Sequence, residues 1–538
     1  GVFFLALIGI IVWVVRQKQN DSADYFLGGR DATWLAIGAS IFASNIGSEH
    51  LIGLAGAGAS SGMAMAHWEI QGWMILILGW VFVPFYTRSM VYTMPEFLER
   101  RYNPQSRTIL SVISLVSYVL TKVAVTVYAG GLVFQQVFGI KELWGIDFFW
   151  IAAIGLVVLT ALYTIFGGMK SVLYTSVLQT PILLLGSLII LVLGFKELGG
   201  WDEMMRVCGA VTVNDYGDTM TNLIRSNDDA NFPWLGALIG SAIIGFWYWC
   251  TDQFIVQRVL SGKNEMEARR GTIFGAYLKL LPVFLFLIPG MIAFALHQKY
   301  IGAGGEGFLP MLENGTANAD AAFPTLVAKL LPAGVKGLVV CGILAALMSS
   351  LASLFNSSAM LFTIDFYKRF RPQTSEKKLV GIGQVATVVI VILGILWIPI
   401  MRSVGDVLYT YLQDVQSVLA PGIAAAFLLG ICWKRTSAQG GMWGLISGMV
   451  IGLTRLGAKV YYSNAGEVAD STFKYLFYDM NWLFFCGWMF LFCIIVVIVV
   501  SLATEAPTAE KIQGLVFGTA TKEQKASTRA SWNHWDII

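Results

Sequence analysis

Long apolar runs separated by short polar stretches follow one another along almost the whole chain. Each run has roughly 18 residues or more, the length that an α-helix needs to cross a hydrocarbon core about 30 Å thick. The pattern therefore predicts an all-α polytopic membrane protein. The predicted spans are 33–60, 70–90, 108–138, 147–166, 172–196, 233–258, 271–296, 333–363, 380–400, 406–430, 438–459 and 480–503.

Residues 1–15 are also apolar, but this run is short for a span. We interpret it as the remaining part of a leading helix. A signal peptide is the weaker alternative, because Arg16 and Lys18 follow the apolar run, whereas a signal peptide has its basic residues before it.

The composition and the charge pattern agree with a membrane protein. Hydrophobic residues make up 56% of the chain, charged residues make up 13%, and the mean hydropathy is +0.68. A soluble domain usually has about 25% charged residues. Most of the Lys and Arg residues lie in the loops after residues 15, 88, 168, 258, 366 and 432 and in the tail from 504, which the positive-inside rule assigns to the inner side. We expect a multi-pass protein of a plasma membrane or a bacterial inner membrane, with the lipid bilayer as a partner and no nucleic acid.

The sequence carries no motif that is typical of an enzyme. The six cysteines form no CxxC or other metal-ligand spacing, the four histidines are scattered, and GxSxG, P-loop and paired-carboxylate motifs are missing. Five cysteines lie in or near apolar spans, where we interpret them as packing residues. They are Cys250, Cys341, Cys432, Cys486 and Cys493. We therefore expect a transporter, not an enzyme.

Ionisable side chains stand inside several predicted spans, where each costs a few kcal/mol or more and usually lines a water-filled path or pairs with another charge. Glu69 and Lys279 neutralise each other if their helices meet. With His50 and the amide of Gln413 they offer donors and acceptors for a polyhydroxylated ligand. The ionisable residues are Glu49, His50, Glu69, Lys122, Asp252 and Lys279.

Each of these residues also has a structural alternative. A lone polar side chain in a membrane helix more often bonds a neighbouring helix than a ligand. The aromatic run "FWYWC" offers flat faces to a sugar ring, yet aromatic residues such as Trp247 and Trp249 more often face lipid or the membrane interface. Ser349 and Ser350 equally suit hydrogen bonds to carbonyls of their own helix.

The stretch "GASIFASNIGSEHLIGLAG" places polar residues among glycines in the first full span. If this helix unwinds near residues 44–47, two backbone carbonyls lose their helical donors and need a buried partner, for which a hard cation is suitable. Residues four apart in a helix share one face, so the segment "AALMSS" can present a carbonyl and two hydroxyls to the same ion. Five neutral oxygens suit a monovalent cation, because a divalent ion normally recruits carboxylates. The predicted sodium ligands are Ala43, Ile46, Ala346, Ser349 and Ser350.

Seven segments together carry a family likeness. They are "DYFLGGR", "GASIFASNIGSEHLIGLAGAGASSG", "LYTIFGGMKSVLYT", "WYWCTDQFIVQR", "LKLLPVFLFLIPGMI", "AALMSSLASLFNSS" and "YLQDVQSVLAPGIAAAFLLGICWKR". In this order, from about residue 24 to residue 435, they resemble the sodium solute symporter family, in particular its sodium/glucose cotransporter branch.

The resemblance implies a core of two inverted five-helix repeats with the ligand at mid-membrane between broken helices. The implied divisions are a partial leading helix and inner loop at 1–32, the repeats at 33–196 and 233–430 with an outer loop at 197–232 between them, two additional helices within 431–503 and an inner tail at 504–538.

The resemblance also implies the residues of both binding sites. Its sodium ligands fall on the same five residues that unwinding and spacing indicate. Tyr248 corresponds to an inner gate that covers the sugar ring, and Tyr409 corresponds to an aromatic residue that closes the site from outside. The implied sugar-binding residues are Asn45, His50, Glu69, Tyr248, Trp249, Lys279 and Gln413.

Three positions depart from the family pattern. Gly245 stands where the family has Asn or Thr three residues before the gate tyrosine, so one hydroxyl contact is lost or passes to water. Ile70 stands where a Trp usually follows the glutamate, which changes the packing expected beside Glu69. Ser176 and Ala352 replace the Asp and the hydroxyl residue of members that carry two sodium ions, so we expect one sodium ion per sugar.

The expected function is sodium-coupled secondary active symport of a monosaccharide, glucose or galactose, by alternating access. One alternative is another solute, such as inositol, sialic acid or an anionic nutrient. An anion usually requires an unpaired Arg or Lys, and the carboxylate partner expected for Lys279 favours a neutral polyol. The other alternative is a glucose-gated sensor that does not transport.

Overall fold

A computed structural model describes residues 2–17, 19, 21–47, 49–312, 315–403, 408–464 and 469–537, while the side chains of residues 4, 120, 400–403, 408–414 and 464 lie outside the description. Within this part the chain is almost wholly helical. The one paired sheet is a two-stranded antiparallel hairpin, Glu142–Leu143 with Ile146–Asp147, in a loop. The predicted all-α fold class is confirmed.

Long helices form the body of the molecule. Nine helical runs of the described part are long and apolar enough to cross a membrane. The long helices are Val2–Arg16, Trp34–Asn45, Glu49–Ser89, Pro104–Phe138, Phe148–Leu198, Trp234–Thr251, Glu265–Gly302, Ala333–Phe370, Glu376–Ser403, Leu408–Cys432, Ala438–Asn464 and Trp482–Ala503. Shorter helices are Ser22–Leu27, Met94–Arg101, Trp201–Gly209, Gln253–Leu260, Ala322–Leu330, Ala509–Ile512 and Lys522–Ala530.

Two predicted spans are each interrupted near their middle. The span predicted at 33–60 ends its first helix at Asn45 and resumes as a π-helical turn at Glu49, slightly later than the unwinding predicted from residue 44. The span predicted at 233–258 is broken at Asp252, whose extended backbone (φ −77°, ψ 127°) separates Trp234–Thr251 from Gln253–Leu260. We call these two elements the first and the second broken helix.

Two other long runs each contain parts of two predicted spans. The spans predicted at 147–166 and 172–196 form the single run Phe148–Leu198, in which Gly168 (φ 54°, ψ −150°) turns the chain sharply. A Cβ atom at Gly168 would collide with the carbonyl oxygen of Tyr25, so this position requires glycine. Within Glu49–Ser89 the chain turns in the same way at Gly62 (φ 75°, ψ −145°). The predicted interhelical loops are therefore reduced to single glycine turns.

The first broken helix packs at the centre, against Phe148–Leu198, Glu265–Gly302 and Ala333–Phe370. Its outer half lies so close to Glu265–Gly302 that a Cβ atom at Gly58 would meet the carbonyl of Leu287, and one at Gly290 would meet the carbonyl of Ala55. Small residues permit such close helix packing in membranes. Four membrane helices therefore converge around the polar stretch.

The cysteine prediction is partly wrong. Of the five cysteines interpreted as packing residues, Cys250, Cys486 and Cys493 are buried and Cys341 is half-buried, but Cys432 is exposed. Cys432 is the last residue of its helix, so it leaves the packed region where the helix ends.

The tail from residue 504 packs against the protein. Asp536 pairs with Arg270 at 2.7 Å, Trp532 lies edge-on to Trp80 with ring centroids 5.6 Å apart, and the backbone N–H of Phe517 donates to the carbonyl of a residue in Leu408–Cys432. The tail therefore crosses the ends of three long helices, on the face that carries the basic loops after residues 88, 258 and 432.

Candidate functional site

A polar cavity lies between the two broken helices and has an empty volume of about 400 Å³. Six of the seven predicted sugar-binding residues line it. The side chains of the seventh, Gln413, and of the predicted outer gate, Tyr409, lie outside the described residues. The lining residues are Asn45, Glu49, His50, Trp68, Glu69, Gln71, Ile244, Tyr248, Trp249, Lys279 and Gln416.

Three ionisable side chains form one connected cluster in the wall of this cavity. Lys279 Nζ lies 2.6 Å from Glu69 Oε2, and His50 Nε2 lies 3.2 Å from Glu69 Oε1 and 2.8 Å from Lys279 Nζ. Glu69 is 1% exposed and Lys279 is 3% exposed, so the pair satisfies two charges that would each be costly alone in a membrane. With a neutral imidazole the cluster carries no net charge, and it still presents hydrogen-bonding atoms to the cavity.

Aromatic side chains of the second broken helix form the opposite wall. Asn45 Nδ2 donates a hydrogen bond of 2.9 Å to the hydroxyl of Tyr248, and Lys279 Nζ donates to Asn45 Oδ1. Trp249 meets the Tyr248 ring edge-on at 4.9 Å, and the Lys279 ammonium lies 5.6 Å from a Trp249 ring centroid. Hydrogen bonds therefore connect the ionic cluster to Tyr248, the residue predicted to act as the inner gate.

A second cavity, with an empty volume of about 280 Å³, also has Tyr248 in its wall. Lys122 lines this cavity, with its ammonium 4.7 Å from the Tyr248 ring centroid, and pairs with Asp252 at 2.7 Å. Asp252 accepts further hydrogen bonds from the hydroxyl of Tyr118 and, at 3.2 Å, from the backbone N–H of Phe254. The charged residue at the second break thus fixes three helices to one another beneath the predicted gate.

The two segments predicted to hold sodium meet at the first break. Ser350 Oγ donates to the carbonyl of Ser44 at 2.7 Å and lies 3.4 Å from the carbonyl of Ile46. Gly47 allows this approach, since a Cβ atom there would lie 2.8 Å from Ser350 Oγ. Ser349 Oγ lies 3.3 Å from Ser176 Oγ. The structure therefore places Ser350 at the first break beside the carbonyl of Ile46, while its neighbour Ser349 contacts Ser176.

The remaining predicted sodium ligands, Ala43 and Ala346, are both buried on the same two helices. Among the described residues there is no cluster of three His, Cys, Asp or Glu side chains that is suitable for a metal ion. The contacts observed at the break join carbonyls and hydroxyls, and such neutral oxygens fit a monovalent cation, while the Glu49 carboxylate lines the adjoining cavity.

Two glutamines of the cavity were not among the predicted residues. Gln416 lies three residues after Gln413 on the same helix, and Gln71 lies two residues after Glu69. A spacing of three residues places Gln416 on the same helix face as Gln413, so the sequence could have indicated Gln416. A spacing of two residues does not place Gln71 on the face of Glu69, so the sequence did not indicate Gln71. Ile70, by contrast, is 38% exposed and faces away, so the missing tryptophan does not affect the contacts that hold Glu69.

Comparison with known proteins gives a consistent result. Residues 25–448 match the model of the sodium:solute symporter family. Sodium/myo-inositol cotransporter 2 of Homo sapiens is 37% identical over 531 residues, which cover 96% of this chain and 78% of the relative. The sodium/myo-inositol cotransporter of Canis lupus familiaris is 37% identical over 539 residues, which cover 96% of this chain and 74% of the relative.

Solved structures with the same fold are also sodium-coupled or cation-coupled transporters. A Na+-coupled sialic acid symporter in a substrate-bound outward-open state matches with a TM-score of 0.74 and 21% identity, covering 94% of this chain and 99% of that one. A nucleobase-cation-symport-1 family transporter matches with a TM-score of 0.54 and 13% identity, covering 92% and 98%. The chain is a multi-pass membrane protein that belongs to the sodium:solute symporter family, and it couples the movement of a solute to that of sodium.

Proposed function

We propose that this symporter carries a neutral cyclic polyol, with myo-inositol as the first candidate, together with one sodium ion per solute molecule. The observation that carries the proposal is the cluster of Glu69, His50 and Lys279, whose charges are paired with one another while they line the central cavity. A solute with many hydroxyl groups and no charge can form hydrogen bonds with these side chains without adding an unpaired charge.

The relatives favour inositol over the monosaccharide expected from the motifs. Both relatives are sodium/myo-inositol cotransporters, so inositol, the alternative solute, fits better than glucose or galactose. An anionic solute such as a sialic acid would need an unpaired cation. Lys279 is engaged by Glu69, and the likeness to the sialic acid symporter concerns the fold alone.

The proposed stoichiometry depends on two positions. Ser176, which replaces the aspartate of members with two sodium ions, accepts or donates hydrogen bonds within a group of hydroxyls that includes Ser40 and Ser349. Ala352 is buried and has no hydroxyl. Without the carboxylate and the second hydroxyl, a second sodium ion would lack its main ligands, so we propose one sodium ion per solute.

In the proposed mechanism, sodium entering from outside binds between the first break and the Ser350 helix and holds the two together. This fixes Asn45, and through it Tyr248, beside the ionic cluster, so the solute meets a completed site. Coupling is reciprocal: if sodium raises the affinity for the solute, the solute raises the affinity for sodium by the same factor, typically worth about 1–3 kcal/mol. Loss of sodium to the inner side then releases the first helix, and Tyr248 moves away from the solute.

The test is uptake into proteoliposomes under an imposed inward gradient of sodium or of potassium. Labelled myo-inositol, glucose and galactose are compared, with Lys279→Ala as the site variant. We expect accumulation of myo-inositol that requires sodium and falls by at least 10-fold in the variant, because Glu69 is then left as an unpaired buried charge. Equal uptake in potassium contradicts sodium coupling, and uptake of glucose without inositol contradicts the proposed solute.

A paired-isotope measurement in the same vesicles tests the stoichiometry. Equal initial fluxes of sodium and solute are expected, and two sodium ions per solute would contradict the interpretation of Ser176 and Ala352. Accumulation against a solute gradient also separates the symporter from a sensor, since a sensor binds the solute without concentrating it.

A further inference from the structure

Gln71 lines the central cavity and carries a buried polar atom that no described residue satisfies. Its Oε1 atom is inaccessible to solvent and has no hydrogen-bond partner among the described residues, although the side chain lines the cavity. A buried acceptor without a partner costs about 1–3 kcal/mol, so such atoms are rare unless something else satisfies them. Here the neighbouring space is the cavity in which the solute is proposed to bind.

Gly245 makes room for this amide. A Cβ atom at Gly245 would lie 2.6 Å from Gln71 Oε1 and 3.2 Å from a carbon of Met74. Any larger residue at position 245 would therefore push the Gln71 amide from its place. Gly245 leaves the second broken helix without a polar side chain at this position. The space is occupied instead by the polar side chain of Gln71 from the helix Glu49–Ser89.

We infer that Gln71 binds one hydroxyl group of the solute and that Gly245 is required to position it, so that this pair determines which hydroxyl pattern the symporter accepts. This inference rests on the proposed function, because it requires a polyol in the central cavity. Gln71 lies two residues after Glu69 on the same helix, and Oε1 accepts a hydrogen bond from the solute hydroxyl.

The contact between Gln71 and the solute can be tested separately from the ionic cluster. Lys279, Glu69 and His50 form one connected cluster, so removing any one of them disturbs the others. Gln71 is uncharged and takes part in none of the contacts of this cluster. A change at Gln71 should therefore weaken the contact to a single hydroxyl group and leave recognition of the other hydroxyl groups intact.

The experiment compares wild type, Gln71→Leu, Gly245→Ala and the double variant by sodium-driven uptake of myo-inositol and of a complete set of its monodeoxy analogues. In wild type, each analogue that lacks a hydroxyl group contacted by the protein should bind about 10-fold more weakly than myo-inositol, as expected for the loss of one buried hydrogen bond. Both single variants should remove this discrimination for one and the same analogue and keep it for the others. Because both substitutions act on the same contact, the double variant should lose no more discrimination than the single variant with the larger loss.

Gln179→Leu is the matched control, since Gln179 is an equally polar, buried glutamine of a membrane helix that does not line the cavity. It should keep the wild-type pattern of discrimination. If Gln71→Leu is too poorly folded to transport, Gly245→Ala alone decides the matter.

The inference is overturned if wild type transports myo-inositol and the variants keep its discrimination against every analogue, or if the two single effects add. If the wild-type protein transports no myo-inositol at all, the proposed function is wrong, and the hydroxyl contact inferred from it is wrong as well.

Discussion

The two broken helices interrupt the membrane core in chemically opposite ways. The first break exposes backbone carbonyls that face hydroxyls, with the Ser350 Oγ atom 2.7 Å from one of them. The second break carries a carboxylate, Asp252, which Lys122 neutralises at 2.7 Å and which also accepts hydrogen bonds from Tyr118 and from the following helix. The contacts at the first break join uncharged oxygens, whereas the carboxylate at the second break is paired with Lys122.

This difference indicates different roles for the two breaks. Interrupted membrane helices leave polar backbone groups that must be satisfied within the protein or by an ion. At the first break, where we propose the sodium site, neutral oxygens would bind an ion that must also leave in each cycle. At the second break the contact between Asp252 and Lys122 joins the helix to Pro104–Phe138, so movement of the inner half of this helix relative to Pro104–Phe138 would break that contact.

The largest expected effect is at the second break. Asp252→Asn removes the carboxylate but keeps a side chain that can cap the helix Gln253–Leu260, so the main loss is the partner of Lys122. We expect a loss of about 3–5 kcal/mol in the free energy of unfolding, since an uncompensated charge then remains buried. Thermal unfolding of the purified protein measures this loss.

The double variant Lys122→Met with Asp252→Asn is the control for that experiment. It removes both charges, so it should recover at least half of the lost stability. Equal destabilisation in the single and double variants would mean that packing, and not the ion pair, dominates at this break.

An intermediate effect is expected at the first break. Ser350→Ala should raise the sodium concentration for half-maximal uptake by about 10-fold, the equivalent of one lost oxygen ligand, while protein abundance stays unchanged because a helix accepts Ala readily. Ser358→Ala is the matched control, as Ser358 is a buried serine of the same helix with no hydrogen-bond partner in the described structure. If the sodium concentration for half-maximal uptake is unchanged in Ser350→Ala, the prediction that Ser350 binds sodium is wrong.

The smallest effect is expected for an ion pair far from both breaks. The hydrogen-bonded Arg270 guanidinium holds the pKa of the Asp536 carboxyl below its ordinary value. A depressed pKa means that the pair stabilises the fold above about pH 4 and that this contribution disappears as the pH falls through the folded-state pKa. Since Arg270 is one-third exposed, Asp536→Asn should cost at most about 1 kcal/mol at neutral pH.

Unfolding of Asp536→Asn and of wild type at pH 7 and near pH 3 measures this contribution. The two proteins should converge at the lower pH. A difference that grows on acidification would show that the tail is held by other contacts, such as the one between Trp80 and Trp532.

Much of this organisation was predictable because membrane helices have a strong sequence signal. The apolar runs gave the spans within a few residues, and the glycines around Ser44 indicated the first break. Pairing across helices was harder to predict. The pairing of Glu69 with Lys279 was predicted from their opposite charges on the condition that their helices meet, whereas Lys122 and Asp252 were predicted only as two separate ionisable residues.

Two further features were not accessible from the sequence for physical reasons. Gln71 enters the cavity only because Gly245, far away in the chain, leaves space for it, and such complementarity depends on the packed structure. The glycine turns at Gly62 and Gly168 replace whole loops, and hydropathy alone gives no indication of a backbone with positive φ.

The proposed stoichiometry has an electrical consequence for the ion at the first break. Whatever groups bind the ion there, a cycle that carries one sodium ion with a neutral solute moves one net positive charge inward, so the membrane potential drives transport directly. A potential of 100 mV is worth about 2.3 kcal/mol per charge. That alone supports roughly a 50-fold accumulation of solute, even where the sodium concentrations on the two sides are equal.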